Sequence, residues 1–329
     1  MPAPKQPAAK RGARTTAPRP GRADDAAAPR GTLIIVGGHE DKEGDQLILK
    51  ALATRAGGGR LVVATVASQV PDELWGDYEP LFRELGVRDV VHLDVQSRQD
   101  AQQEDRLRLL DGATAVFFTG GDQLKITSQL GDSPLYERIR QIYIEGGTVA
   151  GTSAGASVMA ETMLVSGDSS ASPRIGTGVR MAPGLGLFPG VIVDQHFAQR
   201  GRVGRLVAAV AQNPRILGVG IDEDTAIVCE PDGCFKVIGQ GAVYVLDGSR
   251  VTYSNLTEED SDRALSTYDV RLHMLTMGDE FDLATRTPRN RPAEEVEREI
   301  VEEAKPAPRP GKAAKAPRTP RRPTAAARG

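Results

Sequence analysis

Five short apolar runs separated by helical stretches shape the first half of the chain: Thr32 to Val36, Leu61 to Val66, Asp89 to Leu93, Ala115 to Phe118 and Thr148 to Ala150. They are rich in valine, isoleucine and other strand formers and do not alternate with polar residues. Strands that are apolar on both sides must be covered on both faces, which is the condition of a parallel sheet between two helical layers. The intervening segments Asp45 to Arg55, Asp72 to Leu85, Ala101 to Leu110 and Pro134 to Ile144 carry apolar residues at helical spacing, mostly behind an opening Asp or Pro. The expected fold is therefore α/β, a doubly wound three-layer α/β/α sandwich.

Beyond Val219 the texture changes. Thr225 to Cys229, Cys234 to Ile238, Ala242 to Leu246 and Val270 to Met274 follow one another closely with Gly or Pro turns between them, a pattern of antiparallel strands added at the C-terminal edge of the same sheet. Residues 278–304 read as a charged connector, helical over 293–304.

Charge separates the body from its ends. Residues 1–30 carry +5 and residues 305–329 carry +8, so with a total of −3 the middle holds −16. Both ends are made of Ala, Pro, Arg and Lys with almost no large apolar side chain, and cannot offset the entropy of ordering by burial. The expected organisation is a basic disordered tail over 1–30, a folded α/β domain over 31–286, and a connector with a second basic tail over 287–329. The tails are solubilising extensions or tethers to a polyanion. The chain has no run of about 18 apolar residues to span a bilayer and no apolar leader. Two cysteines five residues apart, Cys229 and Cys234, make no disulfide framework. A cytoplasmic protein with no membrane association is the expectation.

The chemistry begins at Gly151-Thr152-Ser153-Ala154-Gly155. Gly-x-Ser-x-Gly at a strand-to-helix turn lifts the serine oxygen above the sheet, because small neighbours relieve crowding at a strained backbone position. The pentapeptide alone arises by chance in roughly one chain in six of this length and composition, so its place after the strand Thr148 to Ala150 carries the weight. The plainer alternatives are a turn in which Ser153 only caps a helix, or a phosphate-binding turn, for which the lysine of a P-loop is missing.

A nucleophilic serine needs a base. Of the four histidines, His92 and His273 lie inside alternating apolar runs and His39 follows the first strand. His196 ends the apolar run Val191 to Gln195, at the sheet edge that presents Ser153, and is the preferred base. A carboxylate must fix the imidazole tautomer; Asp222, Glu223 and Asp224 all follow the strand Leu217 to Ile221, and the sequence does not choose among them. The order Ser, His, acid differs from the Ser, acid, His of α/β-hydrolases. Thr119-Gly120-Gly121-Asp122-Gln123 opens another helix at a strand end, so the N–H of Gly121 could complete an oxyanion hole with that of Ala154, and Gln123 could orient a substrate amide. The plainer reading is a helix start capped by Asp122. After His196 come Arg200, Arg202 and Arg205, three cations at a helix start, where the macrodipole opposes them unless they meet carboxylates.

Taken together, Gly37-Gly38-x-Glu40-Asp41-Lys42, Thr119 to Gln123, Gly151 to Ala156, Asp194-Gln195-His196-Phe197 with the three arginines, and Gly220-Ile221-Asp222-Glu223 resemble the cyanophycinases, of the serine peptidase group that includes aspartyl dipeptidase. The resemblance covers about residues 31–286. It implies a flavodoxin-like fold related to class I glutamine amidotransferases, a homodimer, and hydrolysis of the polymer cyanophycin, a polyaspartate bearing arginine on each β-carboxyl, to β-aspartyl-arginine dipeptides without metal or cofactor. It further implies that Ser153, His196 and Glu223 are catalytic and that Gln123, Asp194, Gln195, Arg200, Arg202 and Arg205 line the substrate pocket. His39 departs from the small residue expected between Gly38 and Glu40. Two rival readings are an aspartyl dipeptidase of the same group, which has less use for the arginine series, and a non-catalytic protein that binds a granule or polyanion.

Overall fold

The computed structural model describes residues 31–167, 173–175, 179–258 and 262–290. The basic tails and the helix expected over 293–304 lie outside them. Thr32–Val36 sits at the centre of a nine-stranded sheet. On one side Thr148–Thr152, Ala113–Phe118, Arg60–Ala64 and Asp89–Leu93 follow in that order, all parallel. On the other side Thr225–Cys229, Cys234–Gly239, Glu280–Asp282 and Thr287–Arg289 follow, each antiparallel to its neighbour.

Period-two alternation explains the three layers. Leu33, Ile35, Val62, Ala64 and Phe118 face the helices Gln123–Leu130, Pro134–Ile144 and Ala154–Ser157. Ile34, Val36, Leu61, Val63 and Phe117 face Leu47–Ala56 and Pro71–Glu84. All ten side chains are 1% exposed or less, which is why these runs show no polar alternation.

Two expectations change. First, not all the late strands join the main sheet. Val191–Gln195, Leu217–Ile221, Val243–Asp247 and Arg271–Leu275 form a separate four-stranded sheet. One face of it, including Val193, Val219 and Val245, packs into the core under the main sheet, and Ile192 and Leu246 on the other face cover the helix Val203–Gln212 through Leu206 and Val210. It too is buried on both faces, so its runs look locally like main-sheet strands. Second, residues 280–289, expected as connector, add two short strands to the sheet edge, anchored by the buried Phe281. The last of them extends past the expected boundary at 286. The helix expected over Ala101 to Leu110 is split into a 3-10 turn, Asp100–Gln102, and a short helix, Glu104–Arg108, and two small hairpins, Thr162–Ser166 with Arg180–Pro183 and Tyr253–Ser254 with Thr267–Tyr268, complete the elements of the described residues.

Candidate active site

The parallel strand Thr148–Thr152 ends directly in Ser153, whose backbone stands at φ 54° and ψ −110°, a region that non-glycine residues rarely occupy. The turn is held open by what its neighbours lack. A Cβ on Gly155 would lie 2.4 Å from the Phe118 carbonyl oxygen, so the turn can pack on that strand only as glycine. The Ser153 N–H donates to the Val36 carbonyl at 3.1 Å, which ties the turn to the end of the first strand. The helix that follows is a single turn, Ala154–Ser157.

His196 arrives from the second sheet. It follows Val191–Gln195, stands at φ 46°, and its N–H donates to the Gly37 carbonyl at 2.8 Å, which brings the ends of the two sheets together. Gly38 lies under its ring: a Cβ there would come within 2.3 Å of the imidazole. The result is a relay. Ser153 Oγ lies 3.0 Å from His196 Nε2, and His196 Nδ1 lies 2.6 Å from Glu223 Oε1. Burial holds the His196 pKa below its ordinary value, against the opposing effect of the hydrogen bond that the ring donates to Glu223. The imidazole is thus neutral near pH 7, as a base must be.

Geometry also separates the three carboxylates that the sequence left open. Asp222 is buried and accepts from the N–H groups of Ala198 and Ala242. Asp224 accepts from the N–H of Asp41 at 2.8 Å. Glu223 alone of the three reaches the imidazole.

Asp122 caps the helix Gln123–Leu130, accepting from the Leu124 N–H at 2.8 Å, as the plainer reading of that loop has it. The Gln123 amide donates to the carbonyls of Leu164 and Val165 and so fastens the Thr162–Ser166 strand. Gly120 passes beside the nucleophile, where a Cβ would sit 3.4 Å from that of Ser153. Ala154 opens its helical turn, so its N–H has no intrahelical acceptor.

The arginine series divides. Arg202 and Arg205 are 7% exposed and close on Asp194, itself 1% exposed. Arg202 Nη1 contacts Asp194 Oδ1 at 3.1 Å and the Gln195 carbonyl at 2.5 Å, and Arg205 grips both carboxylate oxygens. Burial pushes the Arg202 guanidinium down to about 10, still charged at neutral pH. Arg200 is exposed. Two buried polar atoms of this cluster, Gln195 Oε1 and Arg202 Nε, have no hydrogen-bond partner.

A cleft of about 540 Å³ opens over Ser153 and His196, bordered by His39, Lys42 and Tyr78, within the size range of small-molecule sites. Reading the sequence residue by residue gave no role to Glu40. It is 5% exposed and accepts from the Tyr78 hydroxyl and from Thr152 Oγ1, the latter at 2.6 Å, so it fixes the residue before the nucleophile. Its signal was its place just past the first strand's end. Asp41 accepts from the N–H groups of Gln46, Gly44 and Glu43, which hold its carboxyl at about 2 and shape the cleft rim.

Comparison with known proteins identifies the family. Residues 33–237 match the model of peptidase family S51. The cyanophycinase of Synechococcus elongatus is 42% identical over 259 residues, 78% of this chain and 80% of that protein. The cyanophycinase of Trichormus variabilis is 41% identical over 264 residues, 79% and 88% of the two chains. Among solved structures, a peptidase from an acI-B1 actinobacterium superposes with a TM-score of 0.57 at 22% identity, over 78% of this chain and 98% of that one, a likeness of fold. The family match covers more than half of the chain and includes Ser153, His196 and Glu223, and the chain belongs to peptidase family S51.

Proposed function

We propose that this chain is a cyanophycinase, a serine hydrolase that releases β-aspartyl-arginine from cyanophycin through an acyl-enzyme. The observation that carries the reading is the continuous Ser153–His196–Glu223 relay, at 3.0 and 2.6 Å, in an S51 chain whose cyanophycinase relatives align along four-fifths of its length. In the reaction His196 Nε2 takes the Ser153 hydroxyl proton as Oγ attacks the aspartyl carbonyl. The Ala154 and Gly121 N–H groups are the donors we assign to the oxyanion. Imidazolium, paired with Glu223, then returns the proton to the leaving amine, and water attacks the acyl-enzyme by the same route in reverse.

Arg200 is the cation free to meet a substrate carboxylate. We assign the buried Asp194–Arg202–Arg205 cluster, with Gln195 and the strand-bound Gln123, to shaping the substrate pocket from behind. The acidic body attracts the guanidinium groups of the polymer over long range. The exposed Leu272 and Met274 on the edge strand Arg271–Leu275 support the expected homodimer. No helix of the described residues is long and apolar enough to cross a membrane. Two free thiols support a cytoplasmic setting, in which the basic tails tether the enzyme to a polyanion or granule.

Incubation with insoluble cyanophycin tests the reading. The wild-type protein releases β-aspartyl-arginine, read by mass spectrometry, and Ser153→Ala loses on the order of 10⁶ in kcat, the scale of nucleophile removal in a serine peptidase. Cleavage of free aspartyl dipeptides but not of the polymer would assign the dipeptidase activity instead; inertness to both would assign the binding role.

A further inference from the structure

His39 lines the cleft beside the relay and takes no part in it. Its side chain is 71% exposed, and its Nε2 lies 3.8 Å from Glu223 Oε1, the same oxygen that His196 Nδ1 contacts at 2.6 Å. The two imidazole rings meet edge to face with centroids 5.3 Å apart. One ligand atom from each of His39, His196 and Glu223 falls within 4.8 Å of the other two. Two imidazoles and a carboxylate are the donor set that suits zinc and its neighbours, and ligand atoms about 2.0–2.2 Å from a tetrahedral ion stand roughly 3.3 Å apart. The observed separations bracket that value, and the exposed His39 can make the small adjustment without disturbing packing.

We propose that His39, His196 and Glu223 form an inhibitory site for a divalent transition-metal ion, Zn²⁺ foremost. In the working enzyme His196 carries its proton on Nδ1, facing Glu223, and leaves Nε2 free to accept from Ser153. A metal on Nδ1 occupies that lone pair, so the single proton of the neutral ring sits on Nε2. The Nδ1 proton passes to solvent and one is taken up at Nε2, with no net change. Nε2 then donates toward Ser153 Oγ and cannot take its proton, and Glu223 is engaged by the cation. The enzyme is disabled without covalent change, and a chelator restores it. Mg²⁺ and Ca²⁺, which favour oxygen ligands, do not compete.

The binding part of the proposal stands on the three ligands; the inhibitory part rests on the catalytic reading of Ser153 and His196. Calorimetric titration of chelator-treated full-length protein with ZnCl₂ separates them. Wild type and Ser153→Ala each take up one Zn²⁺ per chain at this site. His39→Asn, chosen because asparagine tolerates the φ of 48° at this position, binds at least about tenfold more weakly, the scale at which even outer-layer partners act. In the polymer assay Zn²⁺ inhibits the wild type, EDTA reverses it, equal Mg²⁺ has no effect, and His39→Asn needs at least about tenfold more Zn²⁺ for the same inhibition. Equal affinity in wild type and His39→Asn, no stoichiometric uptake, or uptake without inhibition overturns the proposal. Metal-free wild type that fails to hydrolyse the polymer while binding Zn²⁺ through His39 would instead overturn the catalytic reading and leave the metal site standing.

Discussion

Ser153 and His196 both stand in left-handed backbone, 3.0 Å apart, yet the segments behind them are built from opposite materials. The serine segment is held by absence: Gly151, Ala154, Gly155 and Ala156 leave room for the backbone to press against Phe118 and Val36. The histidine segment is held by charge. Asp194 sits one strand position beneath Gln195 and clamps Arg202 and Arg205, closing the loop that runs from His196 into the helix Val203–Gln212. A backbone framed by small residues is intolerant of added volume, and one framed by a buried ion cluster is intolerant of lost charge.

Asp194→Asn gives the largest effect. It leaves two buried guanidiniums with no counter-charge, and breaking a buried pair from one side costs about 3–5 kcal/mol, a fall in melting temperature of roughly 6–20 °C for a domain of this size. Arg200→Ala, which removes the exposed cation of the same series, leaves the melting temperature within about 2 °C, since surface changes are usually within about 0.5 kcal/mol. An Asp194→Asn protein that melts like the wild type but loses activity would make Asp194 a substrate ligand first and dissolve the contrast.

Gly155→Ala is the matching test on the serine side. Its methyl would lie 2.4 Å from the Phe118 oxygen and 2.8 Å from the Phe118 Cβ, so the turn must shift, at about 1–3 kcal/mol for overpacking. Activity falls further than stability, because a displacement of about 1 Å at the nucleophile can cost on the order of 10²-fold. Thermal melting and kcat measured on one preparation distinguish the two. A variant with lowered stability and unchanged kcat would show that the turn relaxes away from Ser153.

The same contrast governs what could be read from the chain. Steric framing is local, so Gly-x-Ser-x-Gly announced the elbow, and the apolar runs with their intervening helices announced the parallel half of the main sheet. Pairing partners are not local. Val191–Gln195 and Leu217–Ile221 look like any doubly buried strands, and nothing in them says that they join a second sheet. Glu280–Asp282 offers only Phe281 as an apolar signal, too little to stand out from a charged connector. The burial of Arg202 and Arg205 could not be read, because arginine is normally exposed and their partner Asp194 lies 8 and 11 residues back, at no periodic spacing that would reveal it. Glu223 could be chosen over Asp222 and Asp224 by resemblance to a family; its neighbours' separate tasks become visible only in three dimensions.

The smallest expected effect is on pH dependence, and it asks whether the exposed and buried arginines differ electrostatically as they do structurally. Burial lowers the His196 pKa, Glu223 raises it, and the Arg200 charge lowers it again. Depression favours the neutral ring, so the active base persists to lower pH than an ordinary histidine of pKa about 6.5 would allow. The acid limb of kcat/KM, which reports the free enzyme, therefore falls below that value in the wild type. Arg200→Ala removes one source of depression, and its acid limb moves upward whatever it does to substrate affinity, because a uniform loss of binding lowers the whole curve without moving its midpoint. A midpoint that stays fixed in Arg200→Ala would mean that solvent screens Arg200 from the imidazole, leaving burial to set the base on its own. A downward move would mean that Arg200 does not act on His196 as a positive charge, and would break the electrostatic half of the comparison.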